Sequence, residues 1–271
     1  MIKKILCDGD SWTAGDIVDP KLFGDKVEHV HHPDNDQYRL PKVWPHKLGE
    51  LLGISVLNTS YAGSSNDAIV RRVMPTILKL LKNYKPEELF VIVGWSSPER
   101  RDFFYDGEWR CFYPPEFVGL ELTNDISKFK QIYLKYFWEK QEYITRYMQQ
   151  NYLLHYFLKN KGIDHYFFDA FYERKHIDTD SKEFKEELGG MYNNIELEDD
   201  LSVVRSLTET TEEFFKIRGR VFKEKSFRSS LMIDDEHFDK TLWDGYHPNE
   251  TGHELWAKEL YGDLNDKINH I

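Results

Sequence analysis

The chain has 271 residues, 40% of them hydrophobic and 15% aromatic, enough for a sizeable core and too much for a disordered chain. Its 36 basic and 47 acidic side chains give a formal charge of −11, which excludes nucleic-acid binding through a broad basic face. Cys7 and Cys111 cannot by themselves build a disulfide framework or a zinc site, and no apolar run is long enough for a signal-peptide core or a membrane span, so a cytoplasmic protein is expected.

Strand and helix patterns alternate along the chain. Residues 2–7 read as a first strand, followed by a polar loop over 17–40 that carries His29, His31 and His32. A helix is expected over 41–52, with Val43, Trp44, Leu48, Leu51 and Leu52 at helical spacing, and a short second strand over 54–58. Residues 66–84 form an amphipathic pattern, with Ile69, Val73, Ile77, Leu80 and Leu81 on one stripe and a kink expected at Pro75. The run LFVIV at 89–93 is continuous and β-branched, as a strand covered on both faces requires. A long helical region over about 126–161 precedes another strand that ends at 165–168. Its aromatic run, from Tyr133 through Phe157, reads chiefly as helix core and secondarily as a sugar-stacking platform. The charged stretch 170–240, with a helical piece at 208–225, reads as an insertion over one end of the sheet. A last helix over 251–268 opens with Thr251-Gly252-His253-Glu254, the form of a capping box.

Such alternation implies βαβ units and a parallel sheet covered on both faces, here as one domain spanning 1–271. Sites in such folds lie in the loops beyond the carboxyl ends of the strands. That rule brings residues 8–13, 59–66, 94–101 and 169–172 to one rim.

The stretch Cys7-Asp8-Gly9-Asp10-Ser11-Trp12 empties a buried strand into two carboxylates, a glycine and a serine. Serine becomes a useful nucleophile when a base takes its proton and a third group orients that base. Trp243-Asp244-Gly245-Tyr246-His247-Pro248 offers both partners just before the last helix, and Pro248 biases His247 towards an extended backbone. By themselves Ser11 could be a turn residue and the Asp244/His247 pair a helix-entry turn. The two together favour a catalytic set. Asp8 and Asp10 read as turn formers and hydrogen-bond partners. The three histidines at 29, 31 and 32 read as part of a solvated loop, since no matched carboxylate cluster accompanies them to bind a metal.

Gly9-Asp10-Ser11 after the first strand, Gly63 after the second, and Asp244-x-x-His247 before the last helix resemble the SGNH (GDSL-like) hydrolase superfamily. The resemblance runs from end to end of the chain. It implies a flavodoxin-like three-layer α/β/α sandwich with a central parallel sheet, and ester hydrolysis through an acyl-enzyme without metal or cofactor. Ser11 is then the nucleophile, His247 the base and Asp244 its orienting carboxylate, with the Ser11 and Gly63 amides as oxyanion donors. The family's Gly-x-Asn-Asp block is here Gly94-Trp95-Ser96-Ser97, so Ser96 stands at the asparagine position. Asn66 is a substitute donor, or the N-cap of the helix that follows. Arg100 or Arg101 could hold an acidic group of the substrate, or pair with Glu99 or Asp102. The expected substrate is a short acyl ester, acetyl for preference, of a small molecule or carbohydrate. Two other outcomes fit the same residues: an acyltransferase using the same triad, and a binding module on a weakened hydrolase scaffold.

Overall fold

The computed structural model describes residues 1–24, 27–112, 125–171, 223, 225–232, 239–244 and 247–269. Its centre is a four-stranded parallel sheet in the order β2-β1-β3-β6, built from β1 (Lys4–Asp8), β2 (Ser55–Asn58), β3 (Leu89–Trp95) and β6 (Asp164–Asp169). All seven residues of β3 are buried, as its unbroken apolar run requires for a strand covered on both faces.

The period of two sorts the strand residues into two cores. Leu6, Val91, Val93 and Phe167 face the helices α5 (Asn66–Leu80) and α7 (Lys140–Asn160), where they pack with Ile69, Val73, Tyr147 and Leu158. Their neighbours Ile5, Cys7, Ile92 and Phe168 face α4 (Trp44–Leu52) and α9 (Glu250–Asn269), packing with Trp44, Leu48, Trp256 and Leu260. Helices on both faces of a parallel sheet make the three-layer α/β/α sandwich that the sequence implies.

Several expectations need correction. The polar stretch 17–40 is not a plain loop: it holds the short helices α2 (Pro20–Phe23) and α3 (Pro33–Arg39), capped by Asp19 and His32. Helix α5, which holds Pro75 inside it, ends at Leu80 rather than 84, and Ser65 rather than Asn66 is its N-cap, accepting from the Ala68 amide at 3.1 Å. The region 126–161 is two helices, α6 (Asp125–Tyr136) and α7. Their aromatics divide accordingly: Tyr133 and Tyr147 are buried, whereas Tyr136 and Phe137 are exposed. Helix α9 is capped two residues earlier than Thr251, by the Asn249 side chain on the Gly252 amide at 3.0 Å. An antiparallel hairpin, β4 (Arg101–Tyr105) with β5 (Glu108–Phe112), leaves the third strand's end, and no alternation of its residues announces it.

Most of the stretch 170–240, including nearly all of the helical piece at 208–225, lies outside the described residues. Of what is described there, α8 (Phe227–Ser230) places Phe227 and Leu231 in the core beside Trp256.

Three glycines let the strand ends crowd together. A Cβ at Gly9 would lie 2.9 Å from the Gly94 carbonyl oxygen, and one at Gly94 would lie 2.7 Å from the Phe168 ring. Gly15 ends the short helix α1 (Ser11–Ala14) with φ +77°, and a Cβ there would reach within 2.2 Å of Val43 Cγ1. Backbone of that kind is costly for any residue with a side chain. Gly15→Ala should therefore lower the unfolding free energy by about 2–4 kcal/mol, read as a fall in urea midpoint at unchanged slope.

Candidate active site

Ser11 is the first residue of α1, immediately past β1. Asp10 is the N-cap, its Oδ1 accepting from the Trp12 amide at 3.0 Å. Trp12 is boxed edge-on by Phe171 at 4.7 Å, Trp243 at 5.1 Å and Phe227 at 5.6 Å, so the one-turn helix is held by side chains rather than by its own length.

His247 arrives from the far end of the chain. The two-residue strands β7 (Trp243–Asp244) and β8 (His247–Pro248) pair antiparallel, with Asp244 opposite His247. The imidazole Nε2 stands 3.0 Å from Ser11 Oγ, a contact between residues 236 positions apart. The side chain of Asp244 lies outside the described residues; its backbone is on the strand facing His247.

A second carboxylate shares that nitrogen. Asp16, carried back over α1 by the turn at Gly15, places Oδ2 3.1 Å from His247 Nε2, while its buried Oδ1 has no partner among the described residues. Burial pushes the Asp16 carboxyl up, and the nearby imidazole pulls it part of the way back. One ring nitrogen cannot accept from a serine hydroxyl while donating to a carboxylate. Ser11 and Asp16 are thus competitors for Nε2. Nothing in the spacing of GDSWTAGD announces this, because it depends on the positive φ of Gly15.

The rim behind Ser11 is a network of buried carboxylates and arginines. Asp10 Oδ2 accepts from Ser96 Oγ at 2.7 Å and faces Arg100 Nη1 at 3.4 Å. Asp8 accepts from Thr59 Oγ1 at 2.7 Å and from both ends of the Arg72 fork, at 2.5 and 3.1 Å. Asp102 receives Arg71 and the Ser65 hydroxyl, the latter at 2.6 Å.

Ser96 and Asn66 are placed in this network, each with its polar group already engaged. The Ser96 hydroxyl donates to Asp10, and the Asn66 carboxamide pairs with the Ser96 backbone in both directions, at 2.8 and 3.1 Å. They brace the strand end rather than aim donors at Ser11. Arg100 also donates to Ser64 O and Ser96 Oγ, at 3.3 and 3.1 Å. Arg101 turns away, to Glu142 at 2.8 Å.

Gly63, with φ +72°, sits in a loop tied on both sides. The Tyr61 amide donates to Gly9 O at 3.3 Å, and the Ala62 amide donates to His31 Nε2 at 2.9 Å. The His31 ring stacks on Tyr61 at 4.0 Å, 11° from parallel. Burial lowers His31 from 6.5 to about 4, so its Nε2 stays an acceptor. His31 is therefore no part of a solvated loop; it buttresses the Gly63 loop, a role fixed by a contact 31 positions away in the chain. Among the described residues, no group of three or more His, Cys, Asp or Glu side chains could hold a metal ion, and no helix is long and apolar enough to cross a membrane.

Next to Gly63 opens a cavity of about 490 Å³, walled by residues 61–64, by Arg71, Arg72 and Arg100, and by Trp109 and Cys111 of the hairpin.

The chain is thus an α/β/α sandwich that brings a serine hydroxyl and an imidazole together at the carboxyl end of its first strand. It belongs to DUF6071, a family of unknown function, whose model matches residues 25–211. No curated protein matches it. Among solved structures it is similar to a member of the lipolytic protein G-D-S-L family from Veillonella parvula DSM 2008, at 12% identity and TM-score 0.46, covering 97% of this chain and 98% of that one. It is also similar to the esterase EstA from a Pseudoalteromonas species, at 10% identity and TM-score 0.44, covering 98% and 99%. A third is an acetylxylan esterase from Geobacillus stearothermophilus, at 13% identity and TM-score 0.43, covering 97% and 94%.

Two histidines, the buried His253 and the half-buried His31, couple the fold to pH. His31 is lowered to about 4 and His253, whose Nδ1 accepts from the Trp44 amide, to about 3, in both cases first by burial. The unfolded chain takes up protons near 6.5 that the folded chain refuses, so the contribution is full above that pH and is lost as pH falls towards 4. Each ring contributes at most about 1.4 kcal/mol per pH unit in that window, less for the half-buried His31. Urea unfolding between pH 7.5 and 5 should show a shallower loss in His31→Gln than in the native chain; identical slopes would mean that His31 is not held neutral.

Proposed function

We propose that this chain is a serine ester hydrolase of the SGNH type that removes a short acyl group, acetyl for preference, from an alcohol. The observation that carries the reading is the 3.0 Å approach of His247 Nε2 to Ser11 Oγ at the carboxyl end of a buried parallel strand. It is supported by the order of the glycine, serine and Asp-x-x-His blocks along the chain.

In this reading Ser11 Oγ attacks the ester carbonyl carbon while its proton passes to His247 Nε2. The ring then gives that proton to the departing alcohol, and water repeats the cycle on the acyl-enzyme. Asp244 orients the imidazole from across the β7–β8 pairing. The Ser11 amide, which as the first of a helix has no intrahelical acceptor, and the Gly63 amide hold the oxyanion. With Ser96 and Asn66 engaged elsewhere, these two donors do the work that three do where an asparagine completes the set. One donor fewer costs about 3–4 kcal/mol of transition-state stabilisation, which makes a slow enzyme. Arg100 stands behind Asp10 and holds the Ser64 carbonyl, setting the Gly63 loop against the nucleophile.

The competition of Asp16 for Nε2 favours one further reading, a binding module whose serine is held back. A fluorophosphonate probe separates the two. As an esterase, the chain is labelled at Ser11 and turns over a short-chain nitrophenyl ester, and Ser11→Ala loses both, with a fall in turnover of about 10³-fold or more. Absence of labelling in the native chain would sink the esterase. Asp16→Ala, which leaves Ser11 the remaining oxygen on Nε2, should label several-fold faster; slower labelling would make Asp16 a helper of the imidazolium instead of a brake.

A further inference from the structure

We propose that the cavity beside Gly63 is a subsite for a sugar acid, so that the ester cleaved at Ser11 is carried on a hexuronate-like ring. The inference rests on the esterase reading for its chemistry but not for its binding. The cavity opens at Gly63, and at about 490 Å³ it has room for one or two sugar rings.

Its walls present two chemistries. Tyr61 and Trp109 are 55% and 54% exposed, yet each ring has a partner against one face. His31 stacks on Tyr61 at 4.0 Å, and the Arg71 guanidinium lies 4.2 Å from the Trp109 ring centre. A flat aromatic ring held in place accepts the apolar C–H face of a sugar with little ordering cost.

The second chemistry is guanidinium. Arg71 and Arg100 line the same cavity, and the carboxylates that compensate them, Asp102 and Asp10, are 3% and 0% exposed at their side chains. A ligand therefore meets guanidinium N–H donors, with Asp102 also on the cavity wall but almost wholly covered. Among the described residues Arg71 has a hydrogen bond only to Asp102, through Nη2, and its side chain is 34% exposed. The planar fork carries five donors and suits a carboxylate in two-point contact. Local charge is nearly balanced and the whole chain carries −11, so a single carboxylate is favoured over a polyphosphate or a nucleic acid.

The test uses the full-length Ser11→Ala chain, so that binding is read without turnover. Titration calorimetry with D-glucuronate, D-glucose and acetate separates the acid-bearing ring from the ring and from the carboxylate alone. Glucuronate should bind at least about tenfold more tightly than either of the others, and raising the salt should narrow that gap. Arg71→Gln should remove the preference for the acid over the neutral sugar, and Arg71→Lys should restore only part of it. Because Arg71→Gln leaves Asp102 unpaired and could upset folding, Trp109→Ala on the exposed hairpin is the companion, and it should weaken both sugars together. Equal affinity for glucuronate and glucose, or a preference untouched in a folded Arg71→Gln, would overturn the proposal. If binding is found but the native chain fails to label, the esterase alone falls; if labelling is found without binding, the sugar acid alone falls.

Discussion

At the mouth of the sheet the carboxylate of Asp10 is wholly buried, and the rest of the rim is arranged to satisfy it. One oxygen caps the helix that carries Ser11; the other takes the Ser96 hydroxyl from the end of the third strand and faces Arg100 from the turn beyond. A charge taken out of water costs several kcal/mol unless partners replace its hydration, so these three pieces of chain are bound to one another by the penalty of leaving any of them out. Asp8 with Arg72, and Asp102 with Arg71, repeat the device on the neighbouring loop and hairpin. The serine is positioned by a lattice of ion pairs behind it, and the Asn66 and Ser96 side chains are part of that lattice.

Much of the sandwich was legible from hydrophobic period alone. LFVIV could only be a strand with two apolar neighbours, and the alternation of strands with helices implied a parallel sheet between two helical layers. What failed to show was local. Helices of four to seven residues in 17–40 depend on caps such as Asp19 and His32, too short for any period to register. The β4–β5 hairpin is largely exposed on both faces, so no alternation marked it.

The candidate site divides the same way. Ser11 and His247 could be paired from sequence because each stands in a short block whose residue types ask for a partner, and the structure brings their side chains together. Asp16 and His31 could not, since one relies on a backbone turn open only to glycine and the other on a contact between loops. Ser96 and Asn66 have donors suited to an oxyanion, but a residue type states capacity and not direction, and the buried Asp10 and the Ser96 backbone had first claim on them.

The 236 positions between Ser11 and His247 also order events in time. As the chain leaves the ribosome the hydroxyl emerges just after the first strand of the described sheet, and the imidazole only after β2, β3 and β6 have been made. The imidazole is set beside it when α9 packs its Trp256 and Leu260 face onto the sheet, closing a loop of 236 positions. Until that final docking the serine is an ordinary alcohol, so any reactivity that His247 confers is withheld from nascent and misfolded chains alike.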